Sequence, residues 1–184
     1  MKCLLQSAVV IATVFISAWN TSCTSPTSGD SFFPDNRITI TVIDSLGSFT
    51  VVSQDVDDWQ IRLSKEIHYV LGGRQLDPMI TPAYPNPTHD SVSLLFSLGV
   101  SGIPSFKIYN RQGSLVKTLF RDTIDAGVKL VVWRLDDEAG HKIAPGFYRL
   151  VYSWHTVVCD GPVGTPCNNL IDVDVSGHGD IKVE

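Results

Sequence analysis

The sequence predicts an all-β fold, a β-sandwich. Three observations carry this. Short apolar runs alternate residue by residue with polar positions, the period-two pattern of half-buried strands. The 14 Gly and 10 Pro fall between those runs, where turns belong. Charged residues make up 18% of the 184-residue chain, fewer than a helical bundle carries on its solvent faces. Seven to nine short strands separated by turn signals match a sandwich, and a hydrophobic fraction of 43% can fill its core. The net charge of −5 argues against a nucleic-acid partner, which requires a basic face to neutralise phosphates.

Residues 1–22 read as a signal peptide. Lys2 is the only charge before Asp30, and Leu4 to Trp19 is uncharged, with an almost purely apolar stretch from Ala8 to Ile16. That is short for a membrane span of about 20 residues and fits a basic n-region followed by an apolar h-region. Asn20-Thr21-Ser22-Cys23 then places small residues before a cysteine, resembling a bacterial lipobox. Cys23 is therefore the expected lipidation site and the mature N-terminus, although Asn20 stands where a Leu-like residue is usual. Thr24, not Asp, follows the cysteine, which points to the outer membrane. Residues 23–36 are rich in Ser, Thr, Pro and Gly and read as a flexible tether.

The strand-rich segment over 37–77 opens with Arg37 to Asp44, in which Ile38, Ile40 and Val42 share a face that should be buried. Ser45-Leu46-Gly47 turns the chain into Phe49 to Ser53, completing a hairpin. An acidic turn with Asp55, Asp57 and Asp58 precedes a short strand at Trp59 to Leu63. Lys65 to Leu71 suits either helix or strand and ends at Gly72-Gly73. Pro78, Pro82, Pro85 and Pro87 mark a stiff boundary, and residues 78–184 form the expected sandwich. Its strands run Ser91 to Leu98, with Val92, Leu94, Phe96 and Leu98 inward; Ser105 to Asn110; Ser114 to Phe120; Val128 to Leu135; Phe147 to Val158, with Tyr148, Leu150, Tyr152 and Trp154 on one face; and Leu170 to Val175.

Cysteine arithmetic suits an exported protein. Cys3 lies in the leader and Cys23 takes lipid, which leaves Cys159 and Cys167 as an even pair for a disulfide in an oxidising compartment. The loop between them contains two Pro and two Gly, and closing it is worth about 2.5 kcal/mol in the chain-entropy account. A zinc site with His155 and His178 is disfavoured, because seven residues separate the cysteines where structural zinc sites favour two to four. Asp172, Asp174, Ser176 and Asp180 have the oxygen spacing of a calcium loop with Gly177 at its turn, but Val183 occupies the position of the bidentate Glu. The favoured reading of that stretch is an edge strand with Val173 and Val175 inward and the Asp side chains in water. The sequence contains no G-x-S-x-G, H-E-x-x-H, Walker A or G-x-G-x-x-G motif. His68, His89, His141, His155 and His178 are scattered, and the pairs Asp57-Asp58 and Asp136-Asp137 read as solvated turn formers.

Between Thr81 and Tyr152 the order of signals is specific. Ala83-Tyr84-Pro85-Asn86-Pro87 comes first, then Lys107-Ile108-Tyr109-Asn110-Arg111-Gln112-Gly113, Leu115 to Leu119, Ala126-Gly127 and Val131-Val132-Trp133-Arg134. The series closes with Asp136-Asp137-Glu138-Ala139-Gly140 and Ala144-Pro145-Gly146-Phe147-Tyr148. It resembles the FlgD immunoglobulin-like domain family and is similar to the C-terminal sorting domains of type IX secretion cargo. The resemblance implies an immunoglobulin-like sandwich and a scaffold or adaptor role, since none of its signature residues is a nucleophile, base or metal ligand. Trp133 and Tyr148 are expected to fill the core, and Gly113 and Gly140 to take positive φ in turns. The expected function is a non-catalytic binding or structural module of the cell envelope. It needs no cofactor, is held at the membrane by the lipid and meets another envelope protein. The alternative is a sorting or adaptor domain recognised by a secretion system.

Overall fold

The computed structural model describes residues 37–46, 48–65, 78–161 and 166–184. These lie within one compact unit spanning Ser31–Glu184. The expected signal peptide, Cys23, the expected tether, and the stretch from residue 66 to 77 with His68 lie outside the described residues. Among the described residues every regular element is a strand, and no helix is long and apolar enough to cross a membrane.

Nine strands appear in chain order: β1 (Ile40–Ile43), β2 (Phe49–Ser53), β3 (Arg62–Leu63), β4 (Val92–Leu98), β5 (Ser105–Asn110), β6 (Leu115–Thr118), β7 (Gly127–Trp133), β8 (Gly146–Cys159) and β9 (Leu170–Val183). β1 and β2 pair as a hairpin, β4 pairs with β7, and the order β3-β9-β8-β5-β6 makes a five-stranded antiparallel sheet. Residues 79–84 lie along the free side of β4, where Ser93 exchanges backbone hydrogen bonds with Tyr84 and Thr81 donates to Leu95. The two main sheets face each other as a sandwich.

The strongest alternations fold as read. Val92, Leu94, Phe96 and Leu98 are all buried, as are Tyr148, Leu150, Tyr152 and Trp154. Phe96 of β4 meets Phe106 of β5 at 4.7 Å between ring centroids and Trp154 of β8 at 5.5 Å. Those tilted contacts join the sheets and match the favoured geometry of aromatic pairs. Trp133 and Tyr148 are buried edge to face at 5.7 Å, with indole Nε1 donating to Asp136 O and the phenol to Ala144 O. Gly113 and Gly140 take φ of 77° and 84° in their turns, which a Cβ would disfavour.

Three elements differ from expectation. In β1 the isoleucine face is not the buried one: Thr39 and Thr41 are 0% and 1% exposed, while Val42 is 42% exposed. The threonines are buried because their polar atoms have partners: Thr41 Oγ1 donates to Ala83 O, and Thr39 Oγ1 accepts from Asp55 N–H. The expected strand at Trp59 to Leu63 shrinks to Arg62–Leu63, because Trp59 turns at φ 60° and puts its ring into the core. β9 continues eight residues beyond Val175, to Val183, pairing with β8 throughout. It is also not an edge strand, since β3 pairs with its other side at Arg62↔Ser176. Pro78 is therefore no break in the fold: β3, which precedes it, belongs to the sheet of β8 and β9.

Candidate functional site

The densest polar cluster lies where the β1–β2 hairpin, the Tyr84-Pro85-Asn86-Pro87 segment and β9 meet. Asn86 is fully buried. Its Nδ2 donates to Thr39 O and to Asp180 O, both at 2.8 Å, while Oδ1 accepts from Lys182 N–H at 2.9 Å. Its backbone exchanges hydrogen bonds with Thr41. One side chain thus serves three backbone groups drawn from two elements, filling three of the four sites an amide offers.

Asp58 is the second member. Only 1% exposed, it accepts Asp180 N–H on Oδ1 and Thr39 N–H on Oδ2, both at 3.1 Å. This corrects the reading of Asp58 as solvated, whereas Asp57 is exposed as expected. Burial pushes the Asp58 carboxyl up to about 7; the neighbouring Asp180 adds to the rise, and the backbone donors oppose it. Asp180 is also buried, but the Arg149 guanidinium grips it with two hydrogen bonds, Nε to Oδ1 at 2.6 Å and Nη2 to Oδ2 at 2.7 Å. Burial raises the Asp180 carboxyl and Arg149 pulls it back.

Trp59 closes this corner. Its backbone N–H donates to His178 O, and its ring stacks on Tyr152 at 6.3 Å. The ring lies so close to β9 that a Cβ on Gly179 would sit 2.1 Å from it. Gly177 likewise leaves room for Gln60 O and the Tyr152 hydroxyl. Glycine inside a strand often marks such an approach. Sequence reasoning missed Asn86, Asp58 and these two glycines as a group. The available signal was the Gly-x-Gly spacing within an otherwise alternating strand.

The other singled-out residues separate into different places. Cys159 and Cys167 are joined, with S–S 2.13 Å and Cα–Cα 5.6 Å, at the end where β8 and β9 are linked. Asp172, Asp174 and Ser176 lie exposed on the outer face of β9, whereas Asp180 faces Arg149. Because the stretch is extended strand, these four do not converge on one point as a calcium loop would require. His155 stands between Asp174 (Nδ1 to Oδ1, 3.1 Å) and Asp172 (Nε2 to Oδ1, 3.3 Å), so its two ring nitrogens face different carboxylates. Desolvation holds the half-buried His178 below its ordinary value, with Arg149 reinforcing it. Among the described residues no three His, Cys, Asp or Glu side chains are grouped to hold a metal ion. A cleft of about 300 Å³ beside the hairpin is lined by Arg37, Ile38, Ile40, Ser53, Gln54 and Val56, with Asp55 at its wall.

The chain is similar, among solved structures, to FlgD from P. aeruginosa, at 18% identity and a TM-score of 0.32. That match spans 48% of this chain and 62% of the other, less than two thirds of its length. A second similar structure is FlgD from Xanthomonas campestris, described there with hook capping in flagellar assembly. It shows 18% identity and a TM-score of 0.34, over 55% of this chain and 68% of that one. No protein-family model and no curated protein matches the chain.

Proposed function

We propose that the chain is a cell-envelope lipoprotein, anchored through Cys23, whose immunoglobulin-like sandwich is a non-catalytic binding or structural module. The observation that supports it best is the use made of the buried polar side chains. Asp58, Asn86 and Thr41 each hold backbone groups of a neighbouring element. Arg149 is fixed on Asp180. A nucleophile or general base needs a free, substrate-facing position, whereas these groups serve to make a rigid body from a hairpin and two sheets. A rigid body loses little entropy when it meets a partner.

The contact on this reading is the end of the β8–β9 hairpin, where the disulfide orders the chain in advance. Fatty-acid labelling and membrane fractionation test the anchor. Cys23→Ala should abolish labelling and release the protein, and unchanged labelling rejects the lipid. Capture from detergent-solubilised envelope tests the module. Exchanging residues 161–164 for a Gly-Ser linker should weaken capture and leave the melting temperature nearly unchanged. If the purified protein instead cleaves ester, glycoside or peptide substrates at a rate abolished by one substitution, the non-catalytic reading fails.

A further inference from the structure

We infer that β7 is a self-pairing edge through which two copies of this chain associate about a two-fold axis at Leu130. The inference starts from backbone alternation. On β4, the N–H and C=O groups of Ser93, and the bonded groups of Leu95 and Ser97, point toward residues 79–84. In an antiparallel ladder the intervening residues must then bond to β7, so Leu94 pairs with Val131 and Phe96 with Lys129 through hydrogen bonds. The backbone groups of Val128, Leu130 and Val132 point the other way. Among the described residues no strand or bridge takes that side of β7.

The same three residues expose their side chains: Val128 is 62% exposed, Leu130 58% and Val132 47%. A seven-residue strand with a free edge and an apolar stripe is the kind of template that proteins ordinarily block with charge, proline or a bulge. β7 has no proline, and its one charge, Lys129, lies on the opposite face from the stripe.

The occupant is a second copy because the sequence around Leu130 is complementary to itself. Antiparallel pairing centred there sets Leu130 opposite Leu130 of the second copy, and Val128 opposite its Val132. All three are hydrogen-bonding positions, so every free backbone group finds a partner. The two stripes join into one. Lys129 falls opposite Val131 of the second copy, so the lysines do not face each other. Like charges directly opposite are destabilising, and this register sets none opposite each other, so it fits a second copy.

Sedimentation equilibrium of the purified full chain in mild detergent tests this over a range of concentrations. A reversible dimer is expected. Leu130→Lys should weaken it about tenfold or more, since the two-fold brings the two introduced charges together. Leu130→Cys should cross-link between copies with a short bis-maleimide, and Leu115→Cys, exposed on β6 of the other sheet, should not. Melting curves establish that each variant is folded. A monomer at every concentration overturns the proposal, as does a dimer that Leu130→Lys leaves intact. A monomer that instead captures a different protein through β7 overturns it too.

Discussion

The C-terminal half of β9, beyond its pairing with β3, and the free side of β7 are treated by the fold in opposite ways. Along β9 from His178 to Lys182, groups from elsewhere in the chain take the outward backbone: Trp59 backbone N–H on His178 O, Asp58 on Asp180 N–H, and Asn86 on Asp180 O and Lys182 N–H. Thr88 N–H then donates to Lys182 O. Along β7, Val128, Leu130 and Val132 are open. An edge within the fold needs partners because buried N–H and C=O groups are costly when unpaired, whereas an exposed edge can be satisfied by water. Single residues seal the first edge, Asp58 and Asn86 through side chains and Trp59 and Thr88 through backbone N–H groups. The second edge costs nothing to leave open in a monomer, and it remains available for pairing. The comparison predicts that substitutions at the sealed edge act on stability and that those at the open edge act on association.

The largest effect is expected at Asn86. Asn86→Ala leaves Thr39 O, Asp180 O and Lys182 N–H without partners, and at about 1–3 kcal/mol for each buried group, partly relieved by water, the loss is about 4–5 kcal/mol. Asn86→Asp conserves shape but sets a carboxylate oxygen against two carbonyls, so it should destabilise as much as Ala. Urea unfolding measures both. If Asn86→Asp is tolerated, the amide donors are not what seals the edge.

Gly179→Ala comes next. Its methyl group would meet the Trp59 ring at 2.1 Å, and an indole packed against Tyr152 has nowhere to withdraw. Overpacking and partial loss of the Trp59 contacts together amount to about 3 kcal/mol. Tryptophan fluorescence should shift to the red if Trp59 is expelled. An unchanged spectrum and melting temperature would show that the approach of residues 58–60 to β9 is looser than described.

The third effect is on pH dependence, and its sign follows from burial. The Asp58 carboxyl is raised from 3.8 to about 7 in the folded chain, so the folded state binds the proton more tightly than the unfolded state. Its contribution to stability is full below the unfolded value and is lost as pH rises through about 7. Between roughly pH 5.5 and 8 the loss is about 2 kcal/mol. Asp58→Asn should flatten this dependence while lowering stability at acid pH, because its amide nitrogen would face one of the two N–H donors. A urea midpoint that rises from pH 5.5 to 8 in the wild-type chain contradicts the assignment.

These residues also show where the sequence was readable. β4 and β8 were legible because bulky apolar side chains alternate with polar ones, and burial follows bulk. β1 was misread by the same rule, since the buried face carries Thr39 and Thr41, whose hydroxyls are satisfied by partners distant in sequence. The length of β9 was hidden by Ser176-Gly177-His178-Gly179, which has the composition of a loop until Trp59 and Gln60 are seen to occupy the space of the missing side chains. Asp58 looked like one more acid in an acidic turn. Its burial depends on Asp180 N–H, 122 positions away, and local sequence does not encode so distant a partner. The Tyr84-Pro85-Asn86-Pro87 element was recognisable as a motif, but its role in joining the hairpin to β9 required the structure.

The smallest effect on stability is expected at the open edge, and it gives the comparison its sharpest control. Leu130→Thr puts a strand-favouring β-branched residue in place of leucine and removes apolar surface that the monomer leaves 58% exposed. Its backbone groups point away from β4, so the β4–β7 ladder is untouched, and the monomer should change by less than about 0.5 kcal/mol. The variant should nevertheless weaken self-association, because Leu130 would meet its counterpart on the two-fold. Urea unfolding at low protein concentration and sedimentation at high concentration separate these two quantities. A loss of monomer stability comparable with that of Gly179→Ala would mean that the edge of β7 is covered within the chain. In that case both edges would be sealed, and the contrast between them would disappear.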